Sequence, residues 1–323
     1  MVIGRNEGDR LEACLASVVA TGRPFVYVDS GSSDGSVSLA QSRGARVVQL
    51  DPARPFSAAR ARNEGFEALT RLQPEPALVQ FLDGDCTLLP GWLERAAKCF
   101  ADDPRLAAAV GHLSERRADS SIYNRLCALE WRSAAGEVKE WGGLGGISMM
   151  RARIFREVGG FRPEVIAGED SELGVRLGLA GYRIEKLDCP MATHDANITR
   201  FGQWWRRAVR AGHAIGQRTD LHGASPARDG IAQRNSTLFW AVALPLLVIL
   251  LAIPTRGASL LLLLGYPVLA VRIWRRRRAS GDSASEAALY ATFTTLAKFP
   301  NAIGLARFVS NKLARRYEII EYK

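Results

Sequence analysis

From residue 1 to about 110, short apolar runs alternate with stretches whose apolar positions recur every three or four residues. Val2-Ile3, Phe25–Val28, Arg46–Leu50, Leu78–Leu82 and Leu106–Val110 read as strands. Leu11, Leu15, Val18 and Val19 fall at helical spacing, and Ala58–Leu72 reads as another helix. Strands separated by crossover helices predict an α/β domain with a mostly parallel, doubly wound sheet. Ligands of such sheets bind beyond the carboxyl ends of the strands. From 111 to about 218 the strand signal fades. Helices are expected over Ile122–Arg132, Ala152–Val158 and Asp170–Ala180, separated by glycine clusters such as Gly142-Gly143-Leu144-Gly145-Gly146. Arg200–Gly216 reads as a basic helix containing tryptophan.

Beyond this point the pattern changes. Thr237–Pro254 is apolar throughout and Ala258–Val271 nearly so, with Pro254-Thr255-Arg256-Gly257 as the turn between them. The apolar cores fall short of a roughly 30 Å hydrocarbon layer, but Trp240, Arg272 and Trp274 extend them by interfacial anchoring. Two readings follow, a buried hairpin in a soluble domain or a membrane hairpin spanning 237–274, and the absence of charge favours the second. Ala287–Lys312 reads as one or two interfacial amphipathic helices. The chain thus divides into a catalytic-type domain over 1–218, with halves at 1–110 and 111–218, and a helical membrane-associated region over 219–323.

Charge sharpens this picture. Lys and Arg number 43 against 33 Asp and Glu, a net +10, which suits anionic partners. Arg275-Arg276-Arg277-Arg278 follows the apolar run directly, and Lys312, Arg315 and Arg316 stand near the C-terminus. Those are headgroup positions, and they put the hairpin's open side in the cytoplasm. Five cysteines without a CxxC pair read as reduced cytosolic thiols, and nothing ahead of Val2 reads as a leader. The basic residues lie beside apolar segments with no recognition helix or aromatic platform, so no nucleic-acid partner is expected.

Acidic motifs stand at two strand ends. Phe25–Val28 leads into Asp29-Ser30-Gly31-Ser32-Ser33-Asp34-Gly35-Ser36. Asp29 is placed to accept from a base N–H while the Gly/Ser run admits a ligand, or the segment is a strand-to-helix turn capped by Asp34. Val79–Leu82 leads into Asp83-Gly84-Asp85. Two carboxylates one residue apart suit a Mg²⁺ or Mn²⁺ that also holds a diphosphate, or they form a solvated acidic turn. Gly168-Glu169-Asp170 opens a helix, where an acid deprotonates an acceptor hydroxyl or complements the helix dipole.

The order of these motifs is more specific than any one of them. Val2-Ile3-Gly4-Arg5-Asn6-Glu7, the strand with its Asp-x-Gly-Ser run, Ala61-Arg62-Asn63-Glu64-Gly65, the strand with Asp83-Gly84-Asp85, the glycine loop and Gly168-Glu169-Asp170 resemble glycosyltransferase family 2 over roughly residues 1–215. The resemblance implies a GT-A fold, a nucleotide-diphosphate-sugar donor, a divalent cation and inversion at the anomeric carbon. It places Glu7 and Asp29 at the nucleobase or ribose and Arg62 near the nucleotide, with Arg60 a weaker candidate. Asp83 falls at the ribose and metal, and Asp85 on the metal with His194. Asp170 becomes the general base, with Glu169 beside it.

Processive relatives carry Gln-x-x-Arg-Trp. Here Gln203-Trp204-Trp205-Arg206-Arg207 has arginine in the last place, which favours single-sugar addition. Gln203, Trp204 and Arg206 are then expected at the acceptor or diphosphate. The expected enzyme is a glycosyltransferase on the cytoplasmic membrane, acting on a lipid-linked or saccharide acceptor beside anionic lipid. A polyprenyl-phosphate sugar synthase and a non-catalytic nucleotide- or lipid-binding protein of the same fold are the rival readings.

Overall fold

A computed structural model describes residues 1–138 and 143–315. Gly142 of the glycine cluster and Arg316 lie outside the described residues. The chain divides into two compact units. Among the described residues, the first comprises Met1–Arg117 and Trp131–Asn197, and the second takes Ala118–Glu130 and 198–315. The helix Phe201–His222 runs straight through position 218, so no boundary falls there.

The first unit is built on one sheet with nine strands among the described residues. They are β1 (Val2–Gly4), β2 (Val26–Asp29), β3 (Arg46–Gln49), β4 (Leu78–Asp83), β5 (Cys86–Leu88), β6 (Leu106–Glu115), β7 (Gly136–Glu137), β8 (Ser148–Arg151) and β9 (Arg183–His194). Their order is β3-β2-β1-β4-β8-β6-β9-β5, with β7 on β9. The β3-β2-β1-β4 half is parallel, as the alternating pattern predicts. β2 is buried at all four positions, as a strand covered on both faces must be. Helix Ala58–Leu72 opens on Ser57, whose hydroxyl accepts from the Arg60 amide at 3.1 Å.

The other half corrects the expectation of fading strands. β8 is antiparallel to β4 and β6, β5 is antiparallel to β9, and β6 runs parallel to β9. β8 is the short run Ser-Met-Met-Arg, which lacks β-branched residues. In β9, Pro190 and charged positions hide the alternation. Lys186 is nonetheless buried, because its ammonium donates to the Ser133 hydroxyl (2.7 Å) and carbonyl (3.0 Å).

The second unit is helical among its described residues. Helices Phe201–His222 and Lys298–Ala314 approach so closely that a Cβ at Gly304 would stand 2.0 Å from the Val209 carbonyl oxygen. The apolar hairpin runs as two helical stretches, Ile231–Leu251 and Ala258–Ala279. Only 17% and 6% of their most apolar windows are buried, which overturns the buried-hairpin reading. Pro245 and Pro267 lack amide protons, and each follows an irregular stretch: a π turn over Phe239–Ala243 and a 3-10 stretch over Ala258–Leu264.

Candidate active site

Asp29 sits at the carboxyl end of β2, beside Gly4 of β1, and Ile3 of β1 pairs with Asp83 of β4. The two strand-end motifs therefore face the same rim, about 10 Å apart at two strand spacings. Asp29 is buried, and its oxygens accept from the Gly31 amide (3.0 Å), the Ser32 amide (2.8 Å) and the Tyr27 hydroxyl (3.1 Å). Burial, with the Asp29 charge beside it, pushes the Tyr27 phenol up, so it stays a donor. The carboxylate thus shapes the loop that follows it. Asn6 ties the β1 end to the same loop, its Oδ1 accepting from the Ser33 amide at 2.8 Å. Asp34 accepts from the Gly8 amide (3.0 Å) and the Ser36 amide (3.1 Å). Glu7 pairs with Arg10 at 2.8 Å.

Arg62 joins the motifs that lie farthest apart in sequence. Its Nη2 donates to Asp83 Oδ1 at 2.7 Å and its Nη1 to Glu169 Oε1 at 2.5 Å, with the guanidinium 5.4 Å over the Phe161 ring. Burial alone would lower the arginine's pKa, but Asp83 and Glu169 outweigh it and drive the pKa up. A Cβ at Gly146 would stand 2.6 Å from Nη2, so the described part of the glycine loop gives this clamp its room. Arg60, the weaker candidate, is held by Glu64 (2.7 Å) and by the carbonyls of Asp51 and Arg54.

Two carboxylates are thereby tied to one arginine. Glu169 is buried, with its Oε1 held by the Arg62 guanidinium. Asp83 meets the arginine through Oδ1 and stays one-third exposed. Asp170, next to Glu169 in the first turn of helix Glu169–Leu179, is partly exposed and accepts from the Ser171 amide at 2.7 Å.

Asp85, Cys86 and His194 offer ligand atoms that lie within 4.8 Å of one another. His194 Nε2 stands 3.4 Å from Asp85 Oδ2, and Cys86 Sγ 3.3 Å from Asp85 Oδ1. Burial, followed by the charges of Asp85 and Asp83, pushes the Cys86 thiol well up. A carboxylate and an imidazole nitrogen at this spacing fit a divalent cation such as Mn²⁺. Behind the imidazole lies Glu115, 3.3 Å from Nδ1, a residue that carries no motif signal in the sequence.

Gln203, Trp204 and Arg206 belong to the second unit. Gln203 Oε1 accepts from the amides of Thr199 (3.0 Å) and Arg200 (3.1 Å), which closes the start of helix Phe201–His222. Trp204 is buried against Phe293, ring centroids 4.9 Å apart, and offers no face to an acceptor. In the structure one side chain caps a helix and the other packs in a core. Arg206 is exposed, and Arg207 pairs with Glu130 at 2.7 Å.

Residues 1–159 match the family described as "Glycosyl transferase family 2", and residues 130–200 match "N-terminal domain of galactosyltransferase". The succinoglycan biosynthesis protein ExoA of Rhizobium meliloti (strain 1021) is 31% identical over 198 residues, 57% of this chain and 58% of that one. The match therefore spans less than two thirds of that relative. Glycosyltransferase AglE of Haloferax volcanii is 25% identical over 225 residues, covering 64% of this chain and 69% of the other. Among solved structures, the mannosyltransferase PcManGT from Pyrobaculum calidifontis, in complex with GDP-Man and Mn²⁺, superposes with a TM-score of 0.57 at 19% identity, covering 96% and 87% of the two chains. Staphylococcus aureus TarS 1-349 in complex with UDP gives 0.50 at 16% identity, covering 98% and 91%. The fold is GT-A.

Proposed function

Because residues 1–159 form a glycosyltransferase family 2 domain, we propose that this protein transfers one sugar from a nucleotide-diphosphate-sugar to the hydroxyl of a lipid-linked or saccharide acceptor at the cytoplasmic face of a membrane. The observation that carries the reading is the Asp83–Arg62–Glu169 clamp, which fastens the rim of the sheet to the helix that bears Asp170. Donor motifs and proton acceptor belong to one charged network, although 107 positions separate Arg62 from Glu169.

The first unit's own residues supply the positioning. The Asn6–Ser33 and Asp29–Ser32 hydrogen bonds hold a backbone loop at the nucleotide end. Asp170 receives the proton of the acceptor hydroxyl as that oxygen bonds to the anomeric carbon and the bond to the diphosphate breaks. A single displacement of this kind inverts the carbon. Asp85 and His194 would hold the divalent cation, which neutralises charge on the departing diphosphate. A positioned base is worth about 10²–10⁴ in rate.

The exposed apolar hairpin supports membrane attachment, since Leu250 and Leu261 stand 72% and 67% exposed in a chain otherwise built on a buried core. Arg275, Arg276 and Arg278 follow it directly and supply the positive charge that anionic lipid attracts. Arg207 in place of the tryptophan of processive relatives supports addition of a single sugar.

Kinetics on two variants test the reading. Asp170→Asn is expected to lower kcat about 10²–10⁴-fold while donor binding persists. Asp85→Ala is expected to abolish the Mn²⁺ dependence of donor binding in calorimetry. Normal turnover by Asp170→Asn refutes its role as base and favours a lipid phosphate acceptor, whose oxygen carries no proton to remove.

A further inference from the structure

Glu115 has no place in the chemistry described so far, yet its side chain is completely buried and its position is fixed from several sides. It ends β6, opposite His194 of β9, and His194 in turn pairs with Cys86 of β5. Directly paired residues on adjacent strands project from the same face, so Glu115, His194 and Cys86 form a row across three strands. The carboxylate of Glu115 accepts from the Ala196 amide (3.3 and 3.2 Å to its two oxygens) and from the Arg117 amide (3.3 Å). The backbone thus anchors it behind the imidazole. The Trp131 ring meets the His194 ring edge to face, 4.7 Å between centroids, and limits its rotation.

Each imidazole nitrogen then faces a carboxylate: Nδ1 faces Glu115 Oε2 at 3.3 Å and Nε2 faces Asp85 Oδ2 at 3.4 Å. A neutral imidazole carries one N–H. With that proton on Nδ1, directed at Glu115, the Nε2 lone pair faces the Asp85 oxygen. That spacing leaves room for a divalent cation that both atoms would bind. Ligating histidines commonly donate their second ring N–H to a carboxylate in this way, which sets both tautomer and orientation.

We propose that Glu115 is the positioning residue of the cation site: it holds His194 as the Nδ1–H tautomer and so aims the Nε2 lone pair at the point Asp85 also faces. The inference rests on reading Asp85 and His194 as cation ligands. It differs from that reading in assigning the tautomer to a residue that touches neither cation nor donor.

Calorimetric titration of the full chain with Mn²⁺ alone tests it. Glu115→Gln keeps the shape of the side chain but removes its charge, and is expected to weaken Mn²⁺ binding about ten- to a hundredfold. His194→Ala is expected to weaken binding as well. Because Glu115 acts only through His194, the double variant should bind no more weakly than His194→Ala alone. Unchanged affinity in Glu115→Gln, or losses that multiply in the double variant, overturns the proposal. Asp85→Asn separates the two levels. If it leaves Mn²⁺ binding intact, the cation reading falls and takes this inference with it; if it abolishes binding while Glu115→Gln has no effect, only the role of Glu115 falls. Should Glu115→Gln fail to fold, long-range ¹H–¹⁵N correlation of His194 in the unaltered, metal-free protein decides the matter. The Nδ1–H tautomer is expected, and any form protonated at Nε2 overturns the proposal.

Discussion

Replacing Arg62 by methionine tests whether the clamp holds the first unit together. The guanidinium is 3% exposed; Glu169 is 8% exposed and Asp83 33%. Methionine keeps the stem packed but takes the guanidinium from the Glu169 carboxylate in a desolvated site. Removing one partner of a buried pair costs about 3–5 kcal/mol, most of it the penalty of the charge left behind. Asp83 adds little, since water reaches it and screens the loss. For a unit of this size each kcal/mol moves the melting midpoint by about 2–4 °C, so Arg62→Met should melt roughly 6–20 °C lower. The second half of the prediction is more diagnostic. Arg62→Met with Glu169→Gln removes the Glu169 charge as well, so the double variant should recover much of the lost midpoint. Thermal unfolding of the three proteins, followed by circular dichroism in the same detergent without donor, reads both effects. An unchanged midpoint in Arg62→Met, or a double variant that melts lower still, refutes the reasoning, because either result means that Glu169 does not depend on the arginine for its charge.

Two further outcomes concern the second unit. Burial, with Arg210 nearby, lowers the pKa of His213 to about 4, and its ring packs edge to face on Phe308. The unfolded chain takes up that proton near pH ~6.5 and the folded chain only near 4, so the stability it contributes is complete above ~6.5 and declines as the pH falls toward 4, by about 3 kcal/mol at most. Denaturant titrations at several pH values should show His213→Leu flattening that decline, and identical slopes in both proteins would refute the assignment. Leu250→Arg combined with Leu261→Arg places two charges on the exposed apolar hairpin, each costing about 2.5–3.5 kcal/mol at a bilayer centre. Vesicle flotation should then show loss of membrane binding, whereas a double variant that floats as the unaltered protein does would rule out insertion of this segment.

The sequence was legible where structure is local. Short, largely apolar runs marked β1, β2, β3, β4 and the start of β6, and the three-to-four spacing marked Ala58–Leu72 to the residue. β8 and β9 escaped, because Met149, Met150, Pro190 and the charged positions of β9 say nothing by themselves about the strands they pair with. The ordered acidic motifs pointed to the family whose model residues 1–159 match, and two of them share one rim of the sheet.

Which partner each carboxylate meets there was beyond the reach of sequence. Asp83 and Asp85 are alike in a string of letters, and so are Glu169 and Asp170. Arg62, 21 positions before one pair and 107 before the other, separates the members by claiming Asp83 and Glu169. That Trp204 packs in a core and Gln203 closes a helix end was equally invisible along the chain. Glu115 became visible only when β6 and β9 lay side by side. The sequence by itself determined the strands, the helices and the kinds of chemistry available, because backbone preference and apolar periodicity act over a few residues. Only the tertiary structure decided which charge meets which, since an ionisable group's role depends on burial and on partners that the fold brings from far along the chain.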